Sequence, residues 1–574
     1  METVNITIDG QQIAVAKDAT VLEAAQQIGI NIPTLCNHPD LRPVGACRVC
    51  VVEVEGARTL AASCVYPVNE GMVVRTNTPT VRKARKAVVE LILANHPPDC
   101  LSCVRNQNCE LQTIASDLGI KRVRFVGERK RYEQDAHNPS LVRDMEKCIL
   151  CGRCVRVCSE QQGTNVYSFI NRGFGTTVAP AFDNGLDEAP CTYCGQCSSI
   201  CPVGAIVEKD DTQKVWDAIS DPTKHVLVQT APAVRIGLGE ALGMESGSVV
   251  TGKMVAALKH IGFDRVFDTD FGADLTIMEE GSELIHRLQN KGTLPMITSC
   301  CPGWVNFAEI YYPDLLEHLS TAKSPHQMLG AVAKSYYATI NDIKPEDIVV
   351  VSIMPCTAKK GEVVRSEMKQ GDLPDVDFVL TTRELGRMIK EIGLDFSKLP
   401  EADFDQPLGM STGAAVIFGA TGGVMEAALR TVYEVLTGEE LKKVDFEAVR
   451  GLELFREATV QIGDLEAKVA VVHTLEEARK IMDSIRAGTS EYHFIEVMAC
   501  PGGCLSGGGQ PVPINKEIRL NRQKAIYSYD KSFKLRKSHE NPAIKELYTS
   551  WLGEPLSEVS HKYLHTHYKQ QDRL

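Results

Sequence analysis

CILCGRCVRVC (residues 148–158) and CTYCGQCSSICP (residues 191–202) carry the same cysteine spacing, C-x2-C-x2-C-x3-C, at a period of 43 residues. Eight thiols at this density exceed what packing uses, and the spacing is one that holds iron–sulfur clusters. A structural zinc site is the plainer reading, and the doubling of the run sets it aside.

The rest of the chain fits a multidomain protein. Its 574 residues are about four times the ~150-residue norm for one domain. A hydrophobic fraction of 44% with 24% charged residues excludes disordered, collagenous and low-complexity classes. No stretch approaches 18 uninterrupted apolar residues, and residues 1–10 alternate like a strand, not a secretory signal, so no membrane partner and a cytoplasmic location are expected. In that reducing compartment twenty cysteines are metal ligands before they are disulfides. With 62 Lys plus Arg against 74 Asp plus Glu, the charge of −12 gives no reason to expect nucleic-acid binding.

The doubled run resembles bacterial two-cluster ferredoxins, in which the fourth cysteine of each run serves the other run's cluster. That resemblance implies one 4Fe-4S cluster on Cys148, Cys151, Cys154 and Cys201, and another on Cys158, Cys191, Cys194 and Cys197. Upstream, Cys36, Cys47, Cys50 and Cys64 are spaced C-x10-C-x2-C-x13-C among strand-like runs at 4–8 and 49–54 and a helix-like run at 20–28. They resemble a plant-type 2Fe-2S ferredoxin, with the longer first gap found in the iron–sulfur subunit of respiratory complex I. A helical stretch at 81–95 ends at His96, followed by Cys100, Cys103 and Cys109. Three thiols cannot saturate a four-iron cluster, and an imidazole nitrogen can complete it. A helix-capping histidine is the plainer alternative.

Beyond residue 210 apolar runs alternate with helical patterns, at 279–288 and 423–435 for example, which predicts α/β layering around parallel strands. Four such runs, 226–228, 294–297, 348–354 and 494–498, lead into Ala231-Pro232, Cys300-Cys301, Cys356 and Cys500. Ligands gather outside the carboxyl ends of strands, so these junctions are expected to meet at one buried site. Gly237, Gly239 and Gly243 have the wrong spacing for a dinucleotide fingerprint. Gly507 to Gly509 are expected to permit tight packing near that site.

Three motifs, TSCCPGW (298–304), MPCTAKKGE (354–362) and EVMACPGGC (496–504), resemble the FeFe hydrogenases in order and spacing. The resemblance covers essentially the whole chain, and the upstream units match the long monomeric clostridial form, a ferredoxin hydrogenase. It implies an H-cluster, a 4Fe-4S cube joined to a two-iron unit with CO, cyanide and azadithiolate. The cube's ligands would be Cys301, Cys356, Cys500 and Cys504, with Cys504 the bridge. One 2Fe-2S and three accessory 4Fe-4S clusters would feed it.

Nineteen of the twenty cysteines are then ligands, and Cys300 is left over. The resemblance makes it the proton donor and acceptor, a thiol absent from sensory relatives. Glu280, Ser320 and Glu283 would carry the proton onward. Unperturbed thiol and Glu pKa values differ by about 4 units, so Glu280 is expected to be desolvated. Lys359 would donate to a cyanide, and Ala231, Pro232, Met354, Phe418 and Met498 would wall the pocket.

The expected reaction is 2H+ + 2e− ⇌ H2, driven by reduced ferredoxin after maturation proteins supply the two-iron unit. The alternative is a catalytic subunit of an NAD(P)-linked or electron-bifurcating complex with companion subunits. A non-catalytic iron–sulfur carrier or assembly scaffold is disfavoured by the intact Cys300. His326 stands where the clostridial form has Gln, and Pro501 where it has His. The expected architecture is multidomain α+β and α/β: a β-grasp 2Fe-2S domain at 1–79, a His/Cys3 cluster domain at 80–140, a two-cluster ferredoxin domain at 141–209 and a large α/β H-cluster domain at 210–574.

Overall fold

The computed structural model describes residues 2–573. At the N-terminal end, strands Thr3–Ile8 and Gln11–Ala16 form a hairpin through Asp9 and Gly10, both at positive φ. Val4, Ile6 and Ile8 alternate inward, as a sheet with one wet face requires. Val73–Arg75 runs parallel to the first strand and Val51–Val54 antiparallel to it in turn, giving a five-stranded β-grasp sheet. The helix Val21–Gln27 packs on it, opened by a reciprocal capping box between Thr20 and Glu23.

Helix Pro79–Asn95 starts at the Thr78 cap and stops at His96, which is extended at φ −90°, ψ 140°. Pro97 and Pro98 forbid its continuation. In the next unit each cysteine run feeds a short helix, Arg153–Arg156 and Gln196–Ile200. Leu141–Arg143 pairs antiparallel with Ile206–Glu208 and brings the two ends of the repeat together.

The largest unit holds two four-stranded sheets. The first is wholly parallel, in the order Arg265–Asp268, His225–Thr230, Ile348–Met354, Phe378–Thr381. The second runs Met296–Ile297, Phe494–Met498, Leu465–His473, Phe455–Ile462, and its last pair is antiparallel. The expected parallel layering therefore describes the first sheet and three of the four strands of the second, and fails only at the edge strand. Phe455–Ile462 is an edge strand with residues open to solvent, a position that an antiparallel hairpin tolerates and a buried parallel strand does not.

Helix Thr269–Gln289 crosses this unit and is ten residues longer at its start than its sequence signal. It is buried along most of its length, and several of its buried residues are carboxylic acids. Thr412 and Asn541 satisfy one of these, Asp274, with hydrogen bonds of 2.7 Å and 2.9 Å. Among the described residues no helix is long and apolar enough to cross a membrane.

Candidate active site

The four strand ends do converge. Two come from each sheet, and between them lies a cavity of about 80 Å³. Ala231 and Pro232 follow His225–Thr230, Cys300 and Cys301 follow Met296–Ile297, Met354 and Cys356 close Ile348–Met354, and Met498 and Cys500 close Phe494–Met498; all of them line it. Phe418, Lys359, His326 and Cys504 complete the wall.

Glycines allow this convergence. A Cβ on Gly507 would sit 2.1 Å from the Pro355 carbonyl oxygen, and one on Gly508 would sit 2.6 Å from the Cys194 oxygen. Gly237 lies inside helix Val234–Ala241, where a Cβ would meet Gln510 at 2.3 Å, so it serves helix packing and not a phosphate.

None of the cysteines forms a disulfide among the described residues. Cys301, Cys356, Cys500 and Cys504 share the cavity wall, and burial, then Cys356, Cys301, Cys194 and Cys504, pushes the Cys500 thiol up. Four close buried thiols repel one another as thiolates unless a cationic cluster lies between them. Ala499 N–H donates to Cys301 Sγ at 3.4 Å, as amides do to cluster sulfurs.

Upstream, burial and then Cys151, Cys148 and Cys201 raise Cys154, while burial and then Cys194, Cys191 and Cys158 raise Cys197. Each run's fourth cysteine thus sits with the other run. Cys50 and Cys64 sulfurs are 3.4 Å apart, and Cys47 and Cys64 lie near enough to Cys36 to lower its thiol. His96 Nδ1 is buried without a hydrogen-bond partner, the state a ligating nitrogen leaves in the apoprotein, and Cys103 lies near enough to Cys109 to act on its titration. Cys100 is exposed.

Glu280 and Glu283 share a face of helix Thr269–Gln289, and neither belongs to a solvated surface. Glu280 is 1% exposed, and no hydrogen bond of good geometry reaches either carboxylate oxygen. Burial, reinforced by Glu283, pushes it up to about 8, although Ser320 and the Ser299 N–H lie close enough to oppose the rise. The expected desolvation is therefore met. Burial and Glu280 also drive Cys300 well above the ordinary thiol range. Ser320 Oγ donates to Glu283 Oε2 at 3.0 Å, and Arg287 Nη2 donates to Glu283 Oε1 at 2.6 Å.

Lys359 points into the cavity and donates to the Cys300 carbonyl at 3.2 Å and to Glu362 Oε2 at 2.8 Å. Sequence reasoning gave this buried amine only an anionic ligand as counter-charge; the protein supplies its own. The signal was the i,i+3 spacing of Lys359 and Glu362. His326 lines the cavity, but Pro501 does not. It faces a separate surface cavity of about 450 Å³ with Asp40, His473 and Arg519, so its departure bears on that contact and not on the cavity wall.

Residues 224–508 match the family model for the iron only hydrogenase large subunit, C-terminal domain, and 516–571 that for the iron hydrogenase small subunit. Upstream matches are a 2Fe-2S iron–sulfur cluster binding domain (1–79), an NADH-ubiquinone oxidoreductase-G iron–sulfur binding region (85–124) and a 4Fe-4S dicluster domain (147–205). The chain is 53% identical to the NADP-reducing hydrogenase subunit HndD of Solidesulfovibrio fructosivorans over 100% of both chains. It is 41% identical to iron hydrogenase 1 of Clostridium pasteurianum over 98% of this chain and 100% of that one. A solved variant of the FeFe-hydrogenase HydA1 from Chlamydomonas reinhardtii superposes with a TM-score of 0.57 at 44% identity, covering 62% of this chain and 98% of that one. The chain belongs to the FeFe hydrogenases, as a multidomain member that joins an H-cluster domain to 2Fe-2S and 4Fe-4S domains.

Proposed function

We propose that this hydrogenase is the catalytic subunit of an NADP-linked assembly whose companion subunits exchange electrons with the nicotinamide. One observation carries the reading: 53% identity to a subunit of an NADP-reducing hydrogenase along the full length of both chains. A stand-alone enzyme driven by reduced ferredoxin is the second reading, favoured by the 41% match to the clostridial enzyme over nearly the same length. A cytoplasmic location and dependence on maturation proteins go with either. The units are proposed as 1–79, 80–140, 141–209 and 210–574.

Cys301, Cys356, Cys500 and Cys504 would hold the H-cluster, which when bound supplies the centre for 2H+ + 2e− ⇌ H2. Cys300 Sγ holds the exchangeable proton at the cavity wall. Glu280 takes it because burial keeps its carboxyl protonatable near neutral pH. Ser320 Oγ passes it to Glu283, which Arg287 holds toward the outside. Lys359 presents its ammonium to the cavity, and Ala231, Pro232, Met354, Phe418 and Met498 exclude water from it. The remaining cysteines and His96 would hold the accessory clusters that carry electrons inward.

An affinity-tagged chain purified from its own cells tests the assignment. Copurifying subunits and NADPH-driven H2 evolution are expected. A lone chain active with reduced ferredoxin and inert to NADPH with its neighbouring gene products supplied would refute the assembly.

A further inference from the structure

Glu362 Oε2 receives two donors at once: Lys359 Nζ at 2.8 Å and His326 Nε2 at 2.5 Å. All three side chains are buried, and both His326 and Lys359 line the catalytic cavity. The imidazole is engaged on both sides, with Nδ1 3.1 Å from Ser352 Oγ, and its backbone carbonyl accepts from Gln229 Nε2 at 2.9 Å. An ionised carboxylate only accepts, so His326 Nε2 must carry the hydrogen and Nδ1 is left to accept from the Ser352 hydroxyl. Burial, with the charge of Lys359, depresses the ring to about 4, so it is neutral at physiological pH. Burial alone would raise Glu362, but Lys359 and His326 outweigh it and hold the carboxyl down at about 2.

Lys359 and Glu362 stand three residues apart in the short helix Ala358–Glu362 and form a buried contact ion pair at 2.8 Å. The carboxylate oxygen on which they meet is shared. The His326 N–H shares the carboxylate oxygen and fixes its position, while the Cys300 carbonyl takes a second hydrogen of the ammonium. A lysine ammonium has three donors, so one remains for the cavity.

We infer that His326 is a positioning residue for Lys359: by sharing Glu362 it limits the pull of the carboxylate on the ammonium and so sets how strongly Lys359 donates into the cavity. The inference rests on the reading that Lys359 meets a cyanide there.

Infrared spectra of the anaerobically matured full chain test it, with His326→Ala, His326→Gln and Glu362→Gln compared at equal iron content. His326→Ala should move a cyanide stretching band in one direction, because Glu362 then draws the ammonium back. Glu362→Gln should move the same band the opposite way, and His326→Gln, which keeps a donor to Glu362, should restore the wild-type position. If His326→Ala leaves that band in place while Glu362→Gln moves it, His326 only fills space and the inference fails. A cyanide band that neither Glu362→Gln nor Lys359→Met moves would instead overturn the Lys359 reading beneath it.

Discussion

Ser320 Oγ donates to Glu283 Oε2 at 3.0 Å, and Glu280, one helical turn earlier on the same face, receives no comparable bond. Glu283 is tied further by the Thr321 N–H at 3.0 Å, the Thr321 hydroxyl at 3.1 Å and the Arg287 guanidinium at 2.6 Å. The two carboxyls therefore hold different posts. Glu283 is anchored and paired with Arg287, while Glu280 is dry and unpaired, free to gain and lose a proton without breaking a salt bridge.

Glu280→Gln removes the titrating group and keeps its shape. H2 evolution is expected to fall by roughly 10²–10⁴-fold, the usual worth of a positioned acid–base group. Iron content and the CO and cyanide infrared bands should be unchanged, since no cluster ligand is touched. Turnover within a factor of two of wild type would remove Glu280 from the proton path.

The same burial predicts a pH dependence of stability. Glu280 is raised to about 8, and burial raises Asp274 and Glu496 to about 7. Unfolded carboxyls ionise near 4, so between about pH 4 and 8 the folded chain binds more protons than the unfolded one. Stability is thus highest at the acid end of that window with respect to these groups, and is lost as pH rises through it. Each such group contributes at most about 1.4 kcal/mol per pH unit. Melting temperatures of wild type and Glu496→Gln from pH 5 to 8 should diverge, with the Gln variant falling less steeply.

The iron–sulfur domains were legible because cluster ligation uses short, fixed spacings, and the strand ends because apolar runs stop at them. Their meeting was a topological expectation. That they come from two separate sheets was not legible, since the pairing of Met296–Ile297 with Phe494–Met498 spans about two hundred residues. The start of helix Thr269–Gln289 was missed because Asp270 and Asp274 interrupt its apolar pattern while being buried. Glu362 was passed over because Lys359-Lys360-Gly361-Glu362 reads as a polar turn until burial is known. Arg287 and Thr321 likewise gain their meaning from Glu283, not from local sequence.

Cys300 and Cys301 are neighbours with opposite assignments, and serine separates them. Cys301→Ser should lose H-cluster iron and the CO and cyanide bands together. Cys300→Ser should keep both and lose most turnover, since a hydroxyl replaces the thiol as proton carrier. Loss of cluster iron in Cys300→Ser, measured by iron content after maturation, would make that thiol a ligand and undo the count that leaves it free.

Arg383 ties residues 141–209 to the glycine loop of the catalytic unit. Its guanidinium donates to Glu208 Oε2 at 2.6 Å on the two-cluster unit and to the carbonyls of Gly508 at 2.7 Å and Gln510 at 2.9 Å on the glycine loop beside Cys504. The loop meets Cys194 and Gly195 so closely that a Cβ on Gly508 would approach the Gly195 Cα to 2.8 Å. Cys194 in turn sits near enough to Cys301 to feel its charge and near enough to Cys500 to act on its thiol, so an accessory cluster held by Cys194 would lie beside the cube's ligands. Arg383→Ala leaves Glu208 buried with Arg387 alone and should cost about 3 kcal/mol, read as a lower melting temperature. Gly508→Ala should push the two units apart by forcing backbone from backbone. Both variants should slow H2 evolution driven by an external donor several-fold and spare H/D exchange at the active site, which needs no electrons from outside. Equal loss of both activities would place the damage in the catalytic cavity and not at the electron entry.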